Sequence, residues 1–180
     1  MSPYRRVVGT LTGAALVVGT LSGCATQEVD GTLWRQIASH KDPFGQSLVS
    51  AVETIAADEL ADGIRNGGAL TGDFWDGDES SLDALRLQPG GLVIHDLVEY
   101  TDGISFGVMI SSGPRDIESD PLARPSWPYF GPTSVFTCTE IVVSFAPQTR
   151  WSWSDRDCDD ALAKMLDPGA RLAPINAFDG

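Results

Sequence analysis

Apolar residues recur with a helical period in the first half of the chain and with a strand period in the second. Phe44, Leu48, Val52, Ile55, Ala56, Leu60 and Ile64 read as one stripe, with Glu53, Asp58, Glu59 and Asp62 turned elsewhere. The spacing predicts a long helix whose first turn holds Pro43, with Asp42 as its N-cap and Asn66-Gly67-Gly68 as its stop. Leu33, Trp34 and Ile37 predict a shorter helix ahead of it, over 32–39. From Leu92 the period becomes two. Leu92–Tyr100 and Ile104–Ser111 flank Thr101-Asp102-Gly103 and read as a hairpin. Ser134–Phe145 is the clearest strand, with Val135, Thr137, Thr139, Ile141, Val143 and Phe145 on one face. Beyond Ala146-Pro147-Gln148, residues 149–153 read as an antiparallel return, with Trp151 and Trp153 on one face. A last helix is expected over 157–166, closed by Asp167-Pro168-Gly169. The expected fold class is therefore α+β: an antiparallel sheet packed against one long N-terminal helix, plus a short C-terminal helix.

The first residues follow a different pattern. Arg5 and Arg6 precede an apolar run from Val7 to Leu21, and Leu21-Ser22-Gly23-Cys24 is followed at once by Ala25-Thr26-Gln27-Glu28. A basic start, a short apolar core and small residues before a cut site make an export signal. The run is short of the roughly 20 apolar residues that a spanning helix needs. Leu21-Ser22-Gly23-Cys24 resembles the lipobox of bacterial lipoprotein precursors. The Arg-rich, Lys-poor basic set and the abundance of Ala and Gly resemble small lipoproteins of high-GC Gram-positive bacteria. The first resemblance implies that the Cys24 thiol is alkylated with a diacylglyceryl group and that a peptidase cuts after Gly23. Two or more acyl chains anchor a protein stably where one does not. The implied organisation is a signal peptide over 1–23, a lipidated tether over 24–41 and a single globular domain over 42–180. The implied location is the extracytoplasmic face of the cell membrane.

Charge narrows the partners. The chain holds 12 basic and 25 acidic residues, for a net charge of −13. Loss of residues 1–23 removes two arginines and no acid, which makes the balance −15. Such a surface repels nucleic acid and anionic headgroups, so no nucleic-acid partner is expected. The expected contacts are the membrane, through the lipid, and an envelope protein or glycan. With Cys24 spent on lipid, Cys138 and Cys158 remain, and an even pair in an oxidising compartment reads as a disulfide.

Candidate chemistry is sparse. Acids alternate from Asp155 to Asp160, but a calcium loop of the EF-hand type needs a glycine at its sixth position and a glutamate where Leu166 stands. Those acids suit a helix N-terminus better. His40 and His95 lie far from the cysteines, so no metal and no cofactor is expected. No H-E-x-x-H or Ser-x-x-Lys motif is present. Trp75, within the acidic turn Asp73–Glu79, and Trp127 and Tyr129, within the proline-rich loop 113–131, are the aromatic candidates for a ligand or partner contact. For each of them the alternative is a ring folded back onto the core.

Two functional readings follow. One is a non-catalytic binding or interaction domain held at the membrane; the other is a carboxylate-dependent hydrolase acting on cell-wall or extracellular material, which needs no local motif. The anchor itself is testable. The Cys24→Ser variant is expected to persist as an unlipidated, uncleaved precursor, checked by fatty-acid labelling and detergent-phase partitioning. A labelled, mature-sized Cys24→Ser protein would sink the assignment.

Overall fold

The computed structural model describes residues 30–116, 131–145 and 148–178. Cys24, Trp127 and Tyr129 lie outside these residues.

Helix α1 runs from Gly31 to Thr54 and is capped by Asp30, whose carboxylate accepts from the Thr32 N–H at 3.0 Å. The same carboxylate takes two bonds from Arg115, from Nε at 3.0 Å and from Nη2 at 3.1 Å. Arg115 and the helix N–H together hold the Asp30 carboxyl below the usual carboxylate range. The N-cap is thus Asp30 rather than Asp42, and α1 continues through Pro43. On an unbroken helix Leu33, Ile37, Phe44, Leu48 and Ala51 fall within about 60° of one another, and all five are buried. Burying Leu33 and Ile37 contributes about 3–6 kcal/mol, against about 3 kcal/mol for a proline in a helix interior. Burial wins. Residues 31–41, expected in the tether, are therefore part of the folded domain.

The helix breaks where the sequence pattern shows no break. Ile55 and Ala56 are extended, and α2 spans Ala57–Arg65. A continuous helix would set Leu60 and Ile64 about 160° and 200° round from Phe44, on the far side. The break lets both turn inward, and both are buried.

Strand β1 (Asp73–Phe74) is followed by a 3-10 segment at Glu79–Ala84, then β2 (Gly91–Tyr100), β3 (Gly103–Ser111), β4 (Ser134–Ser144) and β5 (Arg150–Asp155). Helix α3 (Asp160–Lys164), β6 (Ala170–Leu172) and a 3-10 turn at Ile175–Phe178 complete the chain. The sheet order is β1-β2-β3-β4-β5, with β6 also pairing with β4. The sheet is mixed, not purely antiparallel: β1 runs parallel to β2 and β6 parallel to β4. Both short strands arrive by crossovers rather than hairpins, as parallel pairing requires. At two and three residues they are too short to show a period in the sequence.

The sheet carries two cores on opposite faces. Leu92, Ile94, Phe106, Val108, Ile141 and Val143 face α1 and α2. Val93, Met109 and Cys138 point the other way, against Trp75, Leu87, Leu162 and Leu166. Helix α3 therefore covers the face that α1 does not. It is held there by Cys138 and Cys158, whose sulfurs lie at disulfide distance, 1.97 Å. Cys158 directly precedes Asp159, which caps α3 by accepting from the N–H groups of Ala161 and Leu162. Replacing both Cys138 and Cys158 by alanine opens a 20-residue link and is expected to cost about 3 kcal/mol of stability. Denaturant midpoints check this, and an unchanged midpoint would mean the link adds nothing.

Candidate functional site

One flank of α1 and the inner face of β5 enclose a groove of about 610 Å³, within the range of small-ligand sites. The helix wall presents Lys41, Asp42, Gln46, Val49, Ser50 and Glu53, and the strand wall presents Trp151 and Trp153. Their spacing explains the shared wall. Residues 42, 46, 49, 50 and 53 recur every three or four positions on the side of α1 next to its buried stripe. Trp151 and Trp153, two apart on a strand, share its inner face.

The two indoles differ in role. Trp153 is half-buried, tilted against Phe44 with ring centroids 6.3 Å apart. Trp151 stands edge-on to it at 5.7 Å and 73° and remains 37 % exposed. Lys41 closes one end: its Nζ lies 6.0 Å from the Trp153 ring centre and donates to the Phe178 carbonyl at 3.2 Å. Asp42, Gln46, Ser50 and Glu53 all point to solvent. The result is an anchored aromatic platform facing a row of short-range donors and acceptors.

Trp75 is not part of any exposed patch. It is 4 % exposed, packs in the outer core and donates its Nε1–H to the Asp78 carbonyl at 2.9 Å. Around it, Asp78 accepts from Ser80 N–H and Oγ–H, and Asp76 accepts from Asp78 N–H. The Ser80 backbone bond holds the Asp78 carboxyl below its ordinary range. The acidic turn closes on itself. Among the described residues no three His, Cys, Asp or Glu side chains gather as a metal would require, and no helix is long and apolar enough to cross a membrane.

A second cluster surrounds His95 on β2. Its Nδ1–H donates to Asp96 at 3.1 Å, and Asp96 also accepts from Arg156 Nη2 at 2.8 Å. Asp96 has φ +50°, at a bulge where β2 slips against β3 between His95 and Val98. The bulge turns its carboxylate back over the ring. Gly107 lies opposite on β3, where an added Cβ would come within 2.6 Å of both the His95 ring and Arg156. His95 is 1 % exposed and its Nε2 is buried without a partner. We assign the trio to pinning β2, β3 and the start of the last helical segment. His40, within the span expected as tether, sits on α1 beside a separate cleft with Asp73 and Arg86.

Comparison of the chain with protein-family models, with curated proteins and with solved structures returns no match.

Burial lowers the pKa of both histidines below the ordinary value, and for His95 Arg156 adds to this while Asp96 and Asp159 oppose it. The unfolded chain therefore takes up these protons first, below about pH 6.5. Stability is full above that pH and declines as pH falls. Asp30 acts in the same sense at lower pH: its contribution is complete above the usual carboxylate range and is lost as pH falls through and below that range. Denaturation midpoints are thus expected to fall from about pH 7.5 to about pH 5.5, and the His40→Asn/His95→Asn double variant should flatten that slope. An equal slope in the variant would refute this origin.

Proposed function

We propose that the chain is a lipoprotein held at the outer face of the bacterial membrane through Cys24, and that its folded part is a non-catalytic binding domain whose ligand lies in the α1–β5 groove. The observation that carries the binding reading is the half-exposed Trp151, braced by Trp153, opposite the solvent-facing polar row of α1. Tryptophan brings a large contact area at small entropic cost, and polar neighbours give direction. The anchor reading rests on Leu21-Ser22-Gly23-Cys24. An envelope protein or glycan is the partner class that this location offers.

The hydrolase alternative is less well supported. Paired-carboxylate hydrolysis sets its two acids between about 5 and 9.5 Å apart. Asp42 and Glu53, the groove's carboxylates, are separated by three helical turns, about 16 Å along α1. Among the described residues the carboxyls that shift, Asp30 and Asp78, shift downward, opposite to the change a general acid needs.

The binding reading is tested by retention of the purified protein on isolated envelope material. Trp151→Ala is expected to weaken retention by roughly tenfold or more with an unchanged denaturation midpoint. Retention that survives Trp151→Ala but fails on Trp127→Ala would move the site to the proline-rich loop and overturn the groove.

A further inference from the structure

We infer that the groove takes an extended, lysine- or arginine-bearing segment of a partner protein, added to the sheet as a strand beside β5; the inference rests on the binding-domain reading above. The backbone pattern supplies the first argument. The Cys138 carbonyl accepts from Arg156 N–H at 3.2 Å and the Phe136 carbonyl from Ala173 N–H at 2.9 Å. Even-numbered residues of β4 therefore turn their backbone groups toward β5 and β6. The register pairs Glu140, Val142 and Ser144 with Ser154, Ser152 and Arg150, so the even residues of β5 are bonded to β4. The odd residues face outward. Among the described residues, the N–H and C=O groups of Trp151 and Trp153 have no partner. They present a ladder with a repeat of about 6.8 Å, which an extended chain matches.

The two residues that offer backbone to the open edge are the same two whose rings line the groove. A strand paired there would send every second side chain between the indoles and the flank of α1. Natural sheet edges are guarded by charges, prolines or covering elements, and this pair of positions carries none of the first two.

Charge selects the occupant. The groove holds Asp42 and Glu53 against Lys41, whose ammonium is engaged with Phe178 and Trp153. The whole chain is at −13. A cationic side chain entering beside Trp151 gains a ring face and a carboxylate. A second copy, pairing β5 to β5, would bring two strongly acidic chains together, so self-association is disfavoured.

The test uses the lipidated mature protein in neutral detergent and synthetic peptides of about ten residues. One alternates lysine with threonine, one alternates glutamate with threonine, and a third is the lysine peptide N-methylated at alternate backbone nitrogens. Tryptophan fluorescence reads binding. The lysine peptide is expected to bind, to weaken roughly tenfold on N-methylation, on Glu53→Gln and at high salt, and to compete for envelope retention. Equal binding of the N-methylated peptide, binding of the glutamate peptide, or no binding would overturn strand addition. So would a dimer abolished by Trp151→Ala, or competition by a soluble envelope glycan and not by the peptide. If the lysine peptide fails while Trp151→Ala still abolishes retention, strand addition is wrong and the groove stands; if retention survives Trp151→Ala, the groove itself is wrong.

Discussion

Leu33, Ile37, Phe44, Leu48 and Ala51 occupy one side of α1 and are buried against the inner face of the sheet, and most other features of the domain follow from that contact. Local signals argue for a helix that begins at Pro43 and runs unbroken to Ile64. The packing extends it by three turns upstream and ends it at Thr54. The proline costs about as much as a single well-buried side chain gains, so a stripe of five prevails. Downstream the same accounting has the opposite outcome, because a straight helix would carry Leu60 and Ile64 to the solvent side.

Placing α1 in this way also places its polar flank beside β5. The helix covers β2, β3 and β4 with its stripe, and β5 lies one strand further out, so that Trp153 reaches the core and Trp151 does not. The groove is the step between them. On the other face, the disulfide and the cap at Asp159 hold α3 over one half of the sheet, around Met109 and Cys138. The remaining half stays open at Val98, Tyr100 and Val142. Where covering ends, the bulge at Asp96 ties His95 and Arg156 together and closes the margin of that smaller core.

Elements with a strong period were legible in the sequence: β2, β3 and β4 end within a residue or so of their expected bounds, and the α+β class holds. The helix boundaries were not, because they depend on which surface the stripe meets and not on its local spacing. Strands β1 and β6 are set by long-range pairing over two or three residues, below what periodicity can register. The groove was half visible. Trp151 and Trp153 stood on one face of the expected return strand, yet nothing local says that α1 passes beside them. Trp75 was undecided for the same reason: the sequence allowed either a ligand contact or a ring folded back onto the core, and the Asp78 carbonyl that takes its N–H and the outer core that takes its ring give the second.

The extension of α1 alters how the anchored protein would meet a partner. With the helix starting at Gly31, an anchor at Cys24 would leave only 24–30 as tether, where the sequence suggested 24–41. Six residue steps span at most about 22 Å, and the acidic domain is pushed from anionic headgroups only within a Debye length of about 8 Å. The groove begins near Lys41, about 15 Å along α1 from its first residue, and ends near Glu53, about 33 Å along it. Whatever the tilt of the domain, its ligand would then be met within about 60 Å of the bilayer surface. A short leash suits a partner that is itself at the membrane. It would also raise the effective concentration of such a partner, so that a salt-sensitive strand addition on two residues of edge, measurable in free solution, would be fuller there.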